Sequence, residues 1–160
     1  MASTSTTTTS PKTAVRPALV RLGLLGLAAI GIMGAALELA FERHWQSPVQ
    51  LIPWAALALL GFALALLSLR DSPRTTTVVR AIALVVLLAS AYGVFMHVSV
   101  NHAAGAADPA WDRLSPLTQW WYALTKSVGQ APPLAPGMLA QSALLLTVAT
   151  LTSRHQANGD

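Results

Sequence analysis

Four stretches of this chain are almost free of charge, and each approaches the length at which a helix crosses a bilayer. Leu22 to Phe41 reads LGLLGLAAIGIMGAALELAF, with Glu38 as its only acid or base; Val49 to Leu69 has none, Ala81 to Val100 has only His97, and Met138 to Ser153 is apolar apart from Gln141 and scattered hydroxyls. A helix needs about 20 such residues, each rising 1.5 Å, to cover a hydrocarbon core of roughly 30 Å. The pattern therefore predicts spans at about 18–42, 48–69, 78–101 and 135–153. His102 to Pro133 is too interrupted by polar residues and proline to cross. Within it, Asp108 before Pro109 and Ser115 before Pro116 are N-cap signals, with proline where a missing backbone donor matters least. From Leu117, the residues Trp120, Trp121, Leu124 and Val128 recur at helical spacing opposite Thr118, Thr125 and Ser127. That predicts an amphipathic helix over about 116–128 lying in the membrane interface. The expected fold is all-α: a transmembrane four-helix bundle with a short interfacial helix between spans 3 and 4.

The same spacing sorts small and polar residues onto particular faces. Ala28, Gly31, Ala35, Glu38 and Glu42 step along the first span, Trp54, Ala58, Gly61, Ala65 and Ser68 along the second, and Ser90, Gly93, His97 and Asn101 along the third. In lipid, close backbone approach replaces hydrophobic burial as the source of helix association. The small-residue face of span 2 is thus the expected mate of the strip on span 1, across the short turn FERHWQS. Residues 1–16 read as a disordered Ser/Thr-rich tail, 17–155 as a single transmembrane domain and 156–160 as a C-terminal tail.

Composition agrees with the pattern. The chain is 54% hydrophobic and 10% charged, against about 25% charged for a soluble domain. Its net charge of +4 comes from basic residues scattered around the spans and forming no stripe, so nucleic acid is not an expected partner. They read instead as topology signals. Lys12, Arg16, Arg21, Arg70, Arg74, Arg80 and Arg154 fall on one side and Arg43, Arg113 and Lys126 on the other, which predicts both termini in the cytoplasm. Arginine- and alanine-rich usage points to a bacterial source, and hence to the inner cell membrane. Trp45, Trp54, Trp120 and Trp121 fit interfacial anchors. With no cysteine, disulfides and thiolate chemistry are excluded.

An ionisable side chain inside a membrane normally faces protein or water. With that topology, Glu38, Gln50, His97, Asn101 and Gln141 share one level near the outer ends of their helices, with Glu42, His44 and His102 above them at a mouth. Two readings stand: a polar pocket in the outer leaflet, or hydrogen bonds that merely hold the helices in register. No HxxxH or HExxH spacing supports a metal site. Bis-histidine haem needs two facing imidazoles at one depth, whereas only His97 lies clearly within a span. Neither haem, a transition metal nor another cofactor is expected. No GxSxG, P-loop or GxGxxG is present, so hydrolase and nucleotide chemistry have no foothold.

Glu38, the turn from His44 to Pro48 with Gln50 after it, the His97 to Asn101 spacing, and Leu134 to Gly137 followed by Gln141 together resemble an uncharacterised family of small four-span bacterial integral membrane proteins. The resemblance spans nearly the whole chain after the tail and implies the same topology. It departs after Asn101, where His102, Ala103 and Ala104 stand in place of an acidic and aromatic stretch. It carries no activity over. The sequence leads to a non-enzymatic membrane component that packs with itself or a larger membrane complex in the lipid bilayer. The alternative is a small carrier or redox-linked protein whose Glu/His pocket takes a proton, metal or small ligand.

Overall fold

The first three helices follow one another with short connections, because the apolar runs leave few residues between them, and longer segments flank the fourth. The computed structural model describes residues 11–152, and their side chains from Ala18 onward. Among the described residues five helices run in the order α1 (Pro11–Phe41), α2 (Ile52–Leu69), α3 (Pro73–Ala104), α4 (Pro116–Leu124) and α5 (Gly137–Leu151), with single 3-10 turns at Val49–Leu51, Gly105–Ala107 and Trp111–Arg113. Ala18–Phe41, Val49–Leu69 and Pro73–Ala107 are long and apolar enough to cross a membrane, while α5 has 15 residues. The outward face of α1 carries Leu22, Leu27, Ile30, Met33 and Leu37, all more than half exposed, the surface a lipid-facing helix presents. This is an all-helical membrane protein.

The helix ends are built as their sequences dictate. Ser72 and Ser115 each accept a backbone hydrogen bond three residues on, from Thr75 and Thr118 at 3.2 Å, with Pro73 and Pro116 in the first turn. Asp108 accepts from the Ala110 N–H at 2.8 Å, but the turn it starts is only the 3-10 turn at Trp111–Arg113. Helix α1 already runs at Pro11, so residues 11–16, read from sequence as tail, are helical; Ala14 to Arg16 are compatible with helix, and propagation adds one hydrogen bond per residue. The rest of that tail and residues 156–160 lie outside the described residues.

Both α1 and α4 close with Schellman motifs. His44 N–H reaches the Leu39 carbonyl at 2.9 Å and Arg43 N–H the Ala40 carbonyl at 3.1 Å, with Arg43 at φ 49°. Ser127 N–H likewise reaches the Tyr122 carbonyl at 2.9 Å across Lys126 at φ 58°. The first of these reverses the chain into α2 within a few residues.

Helix α1 meets α2, as expected, but packs more extensively on α5, and the small-residue face of α2 expected to mate with it is turned away. The strip on α1 docks on α5 instead: a Cβ added at Gly31 would lie 2.7 Å from Ser142 Oγ, and one at Gly34 would lie 3.5 Å from Met138. Ala58 and Ala65 of α2 are exposed and nothing lies within 4 Å of a Cβ built at Gly61. Helix α2 buries the neighbouring face, Ala56, Leu57, Leu60, Ala63 and Leu67. Both faces are apolar, so hydropathy does not distinguish them; larger side chains offer more dispersion contact. The core joins these to Ala28 and Ala35 of α1, Val79, Ala83 and Val86 of α3, and Leu139, Ala143, Leu146 and Ala149 of α5. Polar clasps fix the register at one end: Arg21 pairs with Asp71 at 3.3 Å and donates to the Leu67 carbonyl at 2.6 Å, and Arg80 donates to Thr150 Oγ1 at 2.9 Å.

Candidate functional site

At the opposite end the helices flank a partly open cavity of about 530 Å³, within the 300–1,000 Å³ typical of small-molecule sites. Its walls come from α1 (Ala35, Glu38, Leu39), the turn after it (Glu42, His44, Gln50), the start of α2 (Pro53), α3 (Ser90, Tyr92, Met96, His97) and the segment from Gln130 to Pro136. Most of the lining is apolar, and neither lysine nor arginine lines it. Glu42 follows the end of α1 directly, its N–H bonded to the Glu38 carbonyl at 2.9 Å, so the two carboxylates stand one helical turn apart.

Part of the polar wall is held by its neighbours. Gln50 turns its side-chain oxygen to the Gln46 N–H at 2.7 Å, and the Trp54 indole N–H donates to the His44 carbonyl at 2.8 Å, with the Trp45 ring 6.2 Å from that of Trp54. The turn is thereby stitched to the start of α2. Burial lowers the His44 pKa, the charge of His97 pushes the same way, and Glu42 opposes them, so the three side chains share one electrostatic neighbourhood. Ser90 is 3% exposed, lines the cavity, and its hydroxyl has no partner among the described residues.

His97 is tied to the roof of the site. Its Nδ1 lies 2.6 Å from the Pro132 carbonyl oxygen, which can only accept, so Nδ1 carries a proton and donates it there. The Pro132 carbonyl belongs to the proline-rich segment that roofs the cavity. Gly93, one turn earlier on α3, lets that segment close down: a Cβ there would meet Pro136 at 2.9 Å.

The sequence-derived cluster is therefore divided. Glu38, Gln50 and His97 line the cavity with Glu42 and His44, but Asn101, Gln141 and His102 do not. Asn101 is fully buried and acts on backbone. Its Nδ2 donates to Ala123 and Ala131 carbonyls at 3.0 and 2.8 Å, and its Oδ1 accepts from the Ala131 N–H at 2.9 Å. It thus pairs with Ala131 as a peptide group would and ties the end of α4 to the roof. Gly129, at φ 76°, packs directly on Asn101, where a Cβ would collide. Gln141 is exposed because α5 turns Leu139, Ser142 and Ala143 inward instead. His102 is not at the mouth; its ring stacks on Trp120 at 4.3 Å and meets Trp111 edge-on at 5.3 Å. Trp121 is 60% exposed.

Two residues that matter here carried weak signals in the sequence. Trp111 is buried against Gly105, whose missing Cβ makes room for the indole; a glycine shortly before a tryptophan was the available cue. Pro132 supplies a carbonyl, which any residue could do. Among the described residues, no three His, Asp or Glu side chains are grouped so as to hold a metal ion. Comparisons with protein-family models, curated proteins and solved structures find no match.

Proposed function

We propose that this protein is a small carrier or receptor that binds a small ligand in its Glu38/His97 cavity within the membrane. One observation carries the reading: a cavity of about 530 Å³, largely apolar, whose lining includes two carboxylates and two imidazoles from three separate chain segments. Helices held in register by side-chain hydrogen bonds need no such volume. Instead the partners of His97 and Gln50 are backbone groups that shape the cavity's roof and turn. The protein crosses the bilayer four times in this reading. Helix α5 supplies about 22 Å at 1.5 Å per residue, and the turns before it extend the crossing. Arg21, Arg70, Arg74 and Arg80 at the end away from the cavity support a cytoplasmic placement of both termini, with the cavity opening toward the outer face of a bacterial inner membrane.

The test is filling the cavity. Ala89 lines it and lies outside its charged rim, so Ala89→Phe occludes volume without removing a polar group. Small molecules retained by protein purified in mild detergent are read by native mass spectrometry. A bound species present in the wild type and lost in Ala89→Phe supports binding; identical spectra with no bound species in either would remove it. A second reading, assembly with another copy or a larger membrane complex, is favoured by the open Ala58, Gly61 and Ala65 face of α2, a surface suited to close helix approach.

A further inference from the structure

We infer that the ligand of this cavity carries a protonated amine, seated between the Glu38 and Glu42 carboxylates and the free Nε2 of His97, with its apolar body against Tyr92 and Met96. The inference rests on the binding reading above and adds the chemical class. Charge is the first argument. Glu38 and Glu42 line the cavity, and no lysine or arginine does, so both carboxylates repel a bound anion and attract a bound cation. Donor and acceptor count is the second. The Pro132 carbonyl takes the Nδ1 proton of His97, so in the neutral ring Nε2 is the remaining acceptor for a donor on the ligand; Gln50, with its oxygen held by Gln46, offers a neutral N–H. An ammonium supplies N–H donors to both carboxylate and imidazole, and charge-assisted hydrogen bonds of that kind are the strong ones. The buried Ser90 hydroxyl at the cavity wall, without a partner among the described residues, is a further group that an occupant would satisfy.

The remainder of the lining, including Leu39, Ile52 and Tyr92, suits a hydrocarbon or aryl body, and Tyr92 adds a ring face for a cation. An ammonium could arrive on a free amphipathic amine or on an ethanolamine headgroup. The headgroup brings a phosphate, for which the cavity lining has no lysine or arginine and which Glu38 and Glu42 would repel, so a free amine fits better.

The experiment uses the full chain in phosphatidylcholine nanodiscs, titrated with 2-phenylethylamine and, separately, with 2-phenylethanol, following thermal stability and calorimetric heat. The expected result is saturable stabilisation by the amine and little by the alcohol, with affinity for the amine reduced roughly tenfold or more in Glu38→Gln. Amine and alcohol binding equally in the wild type would overturn the ammonium assignment while leaving the cavity reading intact, and needs no variant that might misfold. If neither probe binds and Ala89→Phe behaves as wild type, the cavity reading itself fails. Repeating the titration in phosphatidylethanolamine nanodiscs separates the sources: competition there identifies the headgroup, and unchanged affinity identifies the free amine.

Discussion

Replacing Asn101 by alanine should loosen the roof of the cavity more than any other single polar truncation in the protein. The side chain is fully buried and makes three hydrogen bonds, to the Ala123 carbonyl and to both backbone groups of Ala131. Removing it leaves two carbonyls and an N–H without their partner. A typical intramolecular hydrogen bond contributes about 0.5–1.5 kcal/mol, and an orphaned buried group costs about 1–3 kcal/mol. Side-chain bonds within membrane proteins average nearer 0.6 kcal/mol, because the unfolded chain in the bilayer also finds partners. Water reaching part of the freed backbone lowers the sum, so Asn101→Ala should destabilise by about 2–4 kcal/mol. Asn101→Asp should cost more, since it keeps the acceptor for the Ala131 N–H but sets a carboxylate against two carbonyls. The assay is reversible unfolding in mixed micelles, paired with hydrogen exchange at the Ala131 amide. Stability within about 0.5 kcal/mol of wild type, or unchanged protection at Ala131, would refute the view that this side chain holds the roof.

Three further outcomes follow from the geometry. Gly31→Ala places a methyl group 2.7 Å from Ser142 Oγ and should destabilise by about 1–2 kcal/mol; adding Ser142→Ala should recover most of it, as read by a double-mutant unfolding cycle. Lys126→Gly removes a left-handed lysine at φ 58° and should raise stability by about 0.5–1 kcal/mol in the same unfolding assay. Because the folded pKa of His44 lies below its ordinary 6.5, its contribution is full above that value and is lost as pH falls through it toward the folded pKa. Thermal stability should therefore fall on acidification below about pH 6.5, and fall less in His44→Gln, with His97, Glu38 and Glu42 left unchanged.

Apolar periodicity and proline placement carried most of what could be read from the sequence. Helix identity, the tight turn at His44 and the caps at Ser72 and Ser115 are local properties, decided by backbone donors and side chains a few residues apart. The shared face of Ser90, Gly93, His97 and Asn101 was also legible, because helical phase along one element is fixed. What each of those groups touches was not. Asn101 and His97 serve a segment some thirty residues onward in the chain, whose path depends on Gly129 adopting a positive φ and on Gly93 leaving space for Pro136. The rotation of α5 was equally hidden, since lipid and protein interior are both apolar; Gln141 could have faced either way, and it faces out. The same ambiguity exchanged the partner of the α1 strip from α2 to α5.

Photolabelling tests the central claim most directly. A 2-phenylethylamine derivative bearing an aliphatic diazirine is activated on the full chain in phosphatidylcholine nanodiscs, and the modified residues are mapped by peptide mass spectrometry. The account predicts label on Glu38 or Glu42 and on Tyr92 or Met96, suppressed by unlabelled amine and by Ala89→Phe. Label confined to outward side chains such as Leu84, Leu88 and Phe95, unaffected by competitor or by filling the cavity, would contradict it.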